Sequence, residues 1–89
     1  MDTNPDLYSN KPSILVVYST SWCPDCRRTR LVLESHNIKF LEVDIGKDND
    51  AFLFIEKETR RVRIPTLIFP DGSIMVEPED DELKTKLGI

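Results

Sequence analysis

Ser13-Ile14-Leu15-Val16-Val17-Tyr18-Ser19-Thr20-Ser21-Trp22-Cys23-Pro24-Asp25-Cys26 is the stretch on which the fold turns. From Ser13 to Ser19 it is a continuous run of β-branched and apolar side chains, the pattern of a strand covered on both faces in a parallel or mixed sheet. A short turn carries the cysteines. Pro24 then fits the first turn of a helix, where its missing N–H costs nothing. That helix is expected to run through Cys26, Leu31, Val32 and Leu33 to about Ser35, with Asn37 as a left-handed cap.

Downstream, Lys39 to Ile45 alternates Phe40, Leu41, Val43 and Ile45 with polar residues closely enough to be a second strand, and strand, helix and strand form one right-handed crossover. Asp48 or Asn49 caps a second helix carrying Ala51, Phe52 and Ile55, which gives out at Arg60-Arg61. Thr66 to Phe69 and Ser73 to Val76 flank Pro70-Asp71-Gly72, whose residues supply the turn of a hairpin. A last helix opens near Pro78 and places Leu83 and Leu87 on one face. The order is β-α-β-α-β-β-α, an α/β domain with a mixed four-stranded sheet flanked by about three helices. Upstream, residues 1–12 are polar, hold Pro5 and Pro12 and show no apolar period. They read as an irregular lead-in with little function, followed by a single domain over 13–89.

A chain of 89 residues has room for one core. Its net charge of −4 mixes 12 basic with 16 acidic residues and shows no basic block to follow a phosphate backbone, which argues against nucleic acid as a partner. The first residues lack a basic region leading into an apolar stretch, and Ile14 to Tyr18 is too short to span a bilayer. A soluble cytoplasmic monomer without membrane contact is expected. In a reducing compartment a close cysteine pair is catalytic or metal-binding more often than a permanent bridge, and Cys23 and Cys26 close too small a loop to staple a fold.

Cys23 stands just ahead of the helix and Cys26 in its first turn, a spacing at which the two sulfurs can meet. Unpaired N–H groups and the positive end of the helix dipole stabilise a thiolate at Cys23, the expected nucleophile. Cys26, further inside, would then attack the mixed disulfide and release the reduced substrate. Trp22 presents a large flat surface, either for a substrate or for the core. Pro24 restrains the backbone between the sulfurs. Asp25 disfavours a neighbouring thiolate, and Arg27 and Arg28 act in the opposite sense.

Structural zinc usually takes four ligands, whereas this chain offers one CxxC and His36, which lies roughly 15 Å along the helix from Cys26, so no self-contained metal site is expected. Arg27, Arg28 and Arg30, with Arg60, Arg61 and Arg63, are placed to receive the carboxylates of a small thiol or an acidic partner; Arg30 and Arg60 read instead as solvated surface. Phe52, Phe54 and Met75 suit ordinary packing. Glu77 to Glu82 serve the N-terminus of the last helix.

Thr20-Ser21-Trp22-Cys23-Pro24-Asp25-Cys26, followed by Ile64-Pro65-Thr66 ahead of a hairpin, resembles the glutaredoxin and thioredoxin superfamily over nearly the whole chain, from Ser13 to Leu87. The resemblance implies a thioredoxin-like fold of the compact glutaredoxin type, similar in layout to mycoredoxins and NrdH-type redoxins. It also implies a cis bond at Pro65, facing the cysteines, that leaves the Ile64 backbone free to pair with substrate. The implied activity is thiol-disulfide exchange on protein or mixed disulfides. Trp22, Pro24, Ile64, Pro65 and Thr66 would bind substrate, and Arg27 and Arg63 would contact a charged thiol. No bound cofactor is implied. Two positions depart from the usual glutaredoxin pattern: Asp25 replaces a tyrosine, and Val76-Glu77 replaces a glycine pair that holds glutathione. Glutathione, mycothiol and a thioredoxin-reductase system all remain open as reductants. So do two other uses of the pair, a non-catalytic binding module and an iron-sulfur or metal carrier sharing the CxxC between chains.

Overall fold

The computed structural model describes residues 5–89, so residues 1–4 of the expected lead-in lie outside the described residues. Seven elements follow the expected order: β1 (Leu15–Ser19), α1 (Pro24–Ser35), β2 (Phe40–Asp44), α2 (Asn49–Thr59), β3 (Thr66–Ile68), β4 (Ile74–Val76) and α3 (Asp80–Leu87). The sheet order is β2-β1-β3-β4. Crossover through α1 makes β1 and β2 parallel, with Val17 opposite Glu42, while β3 runs antiparallel to both β1 and β4.

All five residues of β1 are buried, as a central strand covered on both faces requires. Alternation then divides the core. Leu15, Val17 and Leu67 face Val32 and Leu33 of α1 and Leu83 of α3. Val16, Tyr18 and Ile68 face Ala51 and Ile55 of α2. The sheet is therefore sandwiched, and the C-terminal end of β1 delivers the chain straight into the cysteine turn.

Local chemistry sets the element ends. Asn37 has φ 56, the left-handed conformation expected after α1. Of the two candidate caps for α2, Asp48 takes the position, its carboxylate accepting the Ala51 N–H at 3.2 Å, and Arg60 ends the helix in the left-handed region. In the hairpin Asp71 accepts both the Ser73 N–H and its hydroxyl, and Gly72 supplies φ 87. The last helix starts two residues beyond Pro78. Glu79 is its N-cap, Glu82 accepts the Glu79 N–H at 3.0 Å, and Asp80 and Asp81 complete the acidic first turn.

Residues 5–12 form irregular turns and bends that are attached to the domain. Leu7 packs on the α2 side of the core, and Asp6 accepts hydrogen bonds from Ser13. Tyr8 donates its N–H to the Tyr18 hydroxyl at 3.1 Å and its own hydroxyl to Asp48 at 2.6 Å.

Candidate functional site

Cys23 is the N-cap of α1, with extended backbone, and its Sγ accepts the Cys26 N–H at 3.2 Å. Both thiols are free. A cysteine in the capping position, with proline in the first turn, aims its sulfur at the unpaired N–H groups of the helix, where a negative charge is well met. Cys23 retains 9% of its surface and Cys26 none, so an approaching disulfide reaches Cys23 first. Burial, together with the hydrogen bond to Cys23, pushes the Cys26 thiol up to about 12, while the Thr20 backbone and the Arg30 charge work the other way. The helix thus separates the pair into an accessible sulfur and an enclosed one.

Trp22 is 75% exposed, so its ring lies outside the core. It lines a largely apolar groove of about 300 Å³ with Ile64, Val62, Phe52 and Ile45, and Thr20 also borders it. The groove joins the residue before the cysteines to the residue before Pro65. Ile64-Pro65 is a cis peptide, as the resemblance implies. No backbone partner is found for the Ile64 N–H and C=O among the described residues. Pro65 and Thr66 are fully buried, and the Thr66 hydroxyl is donated to the Arg63 carbonyl at 2.6 Å.

The arginines differ in their surroundings. Arg28 pairs with Asp25 at 3.0 Å and lies 3.6 Å from Asp80, drawing the Asp25 charge along the outside of the helix and tying the start of α1 to α3. Arg63 stands 3.6 Å from Glu77, which has φ 49 and donates its N–H to the Pro65 carbonyl. Arg27 is exposed, with no ion pair among the described residues. Arg60 is exposed, as expected.

Arg30 corrects the sequence reading of a solvated face. Its Nε and Nη2 both donate to the Glu42 carboxylate, at 2.6 to 3.0 Å, and Ser19 donates its hydroxyl to the same carboxylate. Two signals pointed to this cluster: Arg30 follows Cys26 by four residues, and Glu42 shares a strand face with Phe40. Neither shows that α1 and β2 close on each other at that level. His36 is exposed at the end of α1, and among the described residues no three His, Cys, Asp or Glu side chains gather as a metal site. No described helix is long and apolar enough to cross a membrane.

Comparison with known proteins gives the same picture. A family model described as glutaredoxin matches residues 15–74. A Mycobacterium tuberculosis protein carrying the name Putative glutaredoxin Rv3198A is 39% identical over 74 residues, which span 82% of this chain and 88% of that one. Mycoredoxin 1 of Corynebacterium glutamicum is 25% identical over 75 residues, 84% of this chain and 94% of its own. Among solved structures, a glutaredoxin of Archaeoglobus fulgidus superposes with a TM-score of 0.76 at 18% identity, covering 88% of this chain and 90% of that one, a likeness of fold.

Proposed function

This chain belongs to the glutaredoxin family, whose members are in general thiol-disulfide oxidoreductases, and on that premise we propose that it reduces protein or mixed disulfides by dithiol exchange through Cys23 and Cys26. The Cys23 thiolate attacks one sulfur of the substrate disulfide; a Cys23–substrate bond forms, the substrate S–S bond breaks, and the first thiol leaves. Cys26 then gives up its proton and attacks Cys23, closing the protein disulfide and releasing the second thiol. Two electrons pass to the substrate. The observation that carries this reading is the asymmetry of the pair: the sulfur capping α1 reaches the surface and the other does not. For a substrate carrying a small-thiol adduct, Cys23 alone suffices.

The groove between Trp22 and Ile64 receives the substrate chain, with the Ile64 backbone, which has no backbone partner among the described residues, available to it. Reducing equivalents come from a low-molecular-weight thiol, glutathione or mycothiol, or from a thioredoxin-reductase system. The likeness to a protein named mycoredoxin favours mycothiol, and Glu77 paired with Arg63, where glutaredoxins that hold glutathione have glycine, counts against glutathione. Work as a cytoplasmic monomer fits a pair that must be kept reduced between turnovers.

The test offers the oxidised protein glutathione, mycothiol and thioredoxin reductase in separate coupled assays. Turnover is expected with mycothiol, and Cys23→Ser abolishes it with every donor. Cys26→Ser stops reduction of protein disulfides but leaves removal of small-thiol adducts. Retention of disulfide reductase activity by Cys23→Ser would refute the reading.

A further inference from the structure

Cys26 and Arg30 are four residues apart on α1 and stand one turn apart on the same face. Glu42 of β2 takes the guanidinium through two of its nitrogens, and Ser19, at the end of β1, adds a hydrogen bond to the same carboxylate at 2.9 Å. A planar guanidinium held in this way has a fixed position, unlike a surface arginine that follows solvent. Beside it lies a pocket of about 190 Å³, lined by Ser19, Thr20, Ser21, Arg30, Glu42 and Asp44. The Thr20 hydroxyl at its border is buried, with the residue 5% exposed, and has no partner among the described residues.

We propose that Arg30 is a positioning residue for the second half of the reaction: fixed by Glu42 and Ser19, it presents a positive charge to the inner sulfur and stabilises the Cys26 thiolate as that thiolate attacks Cys23. The assignment rests on the dithiol reading above. In the step concerned, the Cys26 S–H bond breaks and its proton is given up to solvent, the Cys23–Cys26 bond forms, the Cys23–substrate bond breaks, and the departing thiolate takes up a proton from solvent. The charged and titratable groups that act on Cys26 are Cys23 at the helix cap and Arg30 one turn on; Glu42 and Asp44 of β2 line the pocket beside Arg30, and Glu34 acts on Arg30 from the same helix. Arg30 favours the thiolate. A pH profile for resolution that moves with the charge at position 30, and that Arg30→Lys restores, separates this role from that of a merely structural ion pair.

The experiment mixes the reduced protein in stopped flow with a symmetric aromatic disulfide whose released thiolate absorbs in the visible. The first equivalent released reports attack by Cys23 and the second reports resolution by Cys26. Arg30→Gln is expected to slow the second phase about tenfold near neutral pH and to shift its pH profile upward, the effect of one charge at partly screened range. Glu42→Gln, which loosens the guanidinium, slows that phase by less, and Arg30→Lys, which keeps the charge, returns it toward the wild-type rate. A second phase that Arg30→Gln leaves unchanged, or slows with no shift in its pH profile, would overturn the assignment while leaving the reductase reading in place. A wild-type trace with no thiolate release would sink both.

Discussion

Replacing Cys23 with serine isolates the reactivity of the enclosed thiol. Burial raises Cys26 from 9.0 to about 12, and the hydrogen bond to Cys23 adds to the rise. A pKa higher by about three lowers the thiolate fraction near neutral pH roughly a thousandfold. The more basic thiolate is also the better nucleophile, and a Brønsted dependence of about 0.4 to 0.5 recovers roughly 16- to 30-fold. The net expectation is alkylation about 30- to 60-fold slower than that of an unperturbed cysteine, and slower again because no Cys26 surface is exposed. In Cys23→Ser the burial stays while the Cys23 thiol is gone, so the slowing from acidity lies toward the smaller figure. The assay times iodoacetamide labelling by peptide mass, with the urea-unfolded chain as the reference. In the wild type under limiting reagent the label is expected on Cys23. Folded Cys23→Ser labelling Cys26 as fast as the unfolded chain does, or wild-type label reaching Cys26 before Cys23, would refute the argument that the helix start sorts the two sulfurs.

Because the Trp22 ring is mostly in solvent, Trp22→Ala is expected to change stability by under about 0.5 kcal/mol in urea titration while raising KM for protein disulfides. Leu83 is buried where α3 meets Leu33 and Leu67, so Leu83→Ala costs about 2 to 5 kcal/mol, seen as an earlier urea midpoint with an unchanged slope. Burial also raises Tyr18 above its ordinary value of 10.0. For Cys26 and Tyr18 the folded chain keeps its proton at a pH where the unfolded chain has lost it, so their contribution is complete below about pH 9 and is lost as pH climbs toward the folded values. The urea midpoint should therefore fall between about pH 9 and 11, and fall less in Cys26→Ser; equal midpoints across that range would contradict it.

The parts of the fold legible in the sequence are those set by short-range chemistry. A run that is apolar on both faces placed β1 in the centre, proline and a capping side chain placed the start of α1, and Pro70-Asp71-Gly72 placed the hairpin. Strand ends were overrun by a residue or two because pairing stops where the partner strand stops: Phe69 is buried and has the character of a strand residue, yet its N–H goes to Ser73 across the turn. The site was legible in its covalent part, the spacing of Cys23 and Cys26. Its three-dimensional part was not. Trp22 has the composition of a core residue but sits at a helix entrance that nothing covers, and Arg30 meets Glu42 only because the crossover lays α1 against β2. Pattern gives the face of an element; which charges meet across two elements depends on their relative height.

The hydrogen bond from the Tyr8 N–H to the Tyr18 hydroxyl bears on where the folding unit begins. Tyr18 is fully enclosed between the sheet and α2, with its ring beside Phe54, so its oxygen depends on a partner within the protein. A chain shortened to start at Ser13 would keep every strand and helix, yet it would leave that oxygen without its donor and Asp48, the cap of α2, without the Tyr8 hydroxyl. A hydrogen bond of this kind contributes about 0.5 to 1.5 kcal/mol, and the cover that Leu7 gives the core is lost with it, a real share of what a domain this small holds in reserve. The residues ahead of the first strand act as a plug for its inner face, and the physical edge of the domain lies upstream of the place where apolar pattern begins.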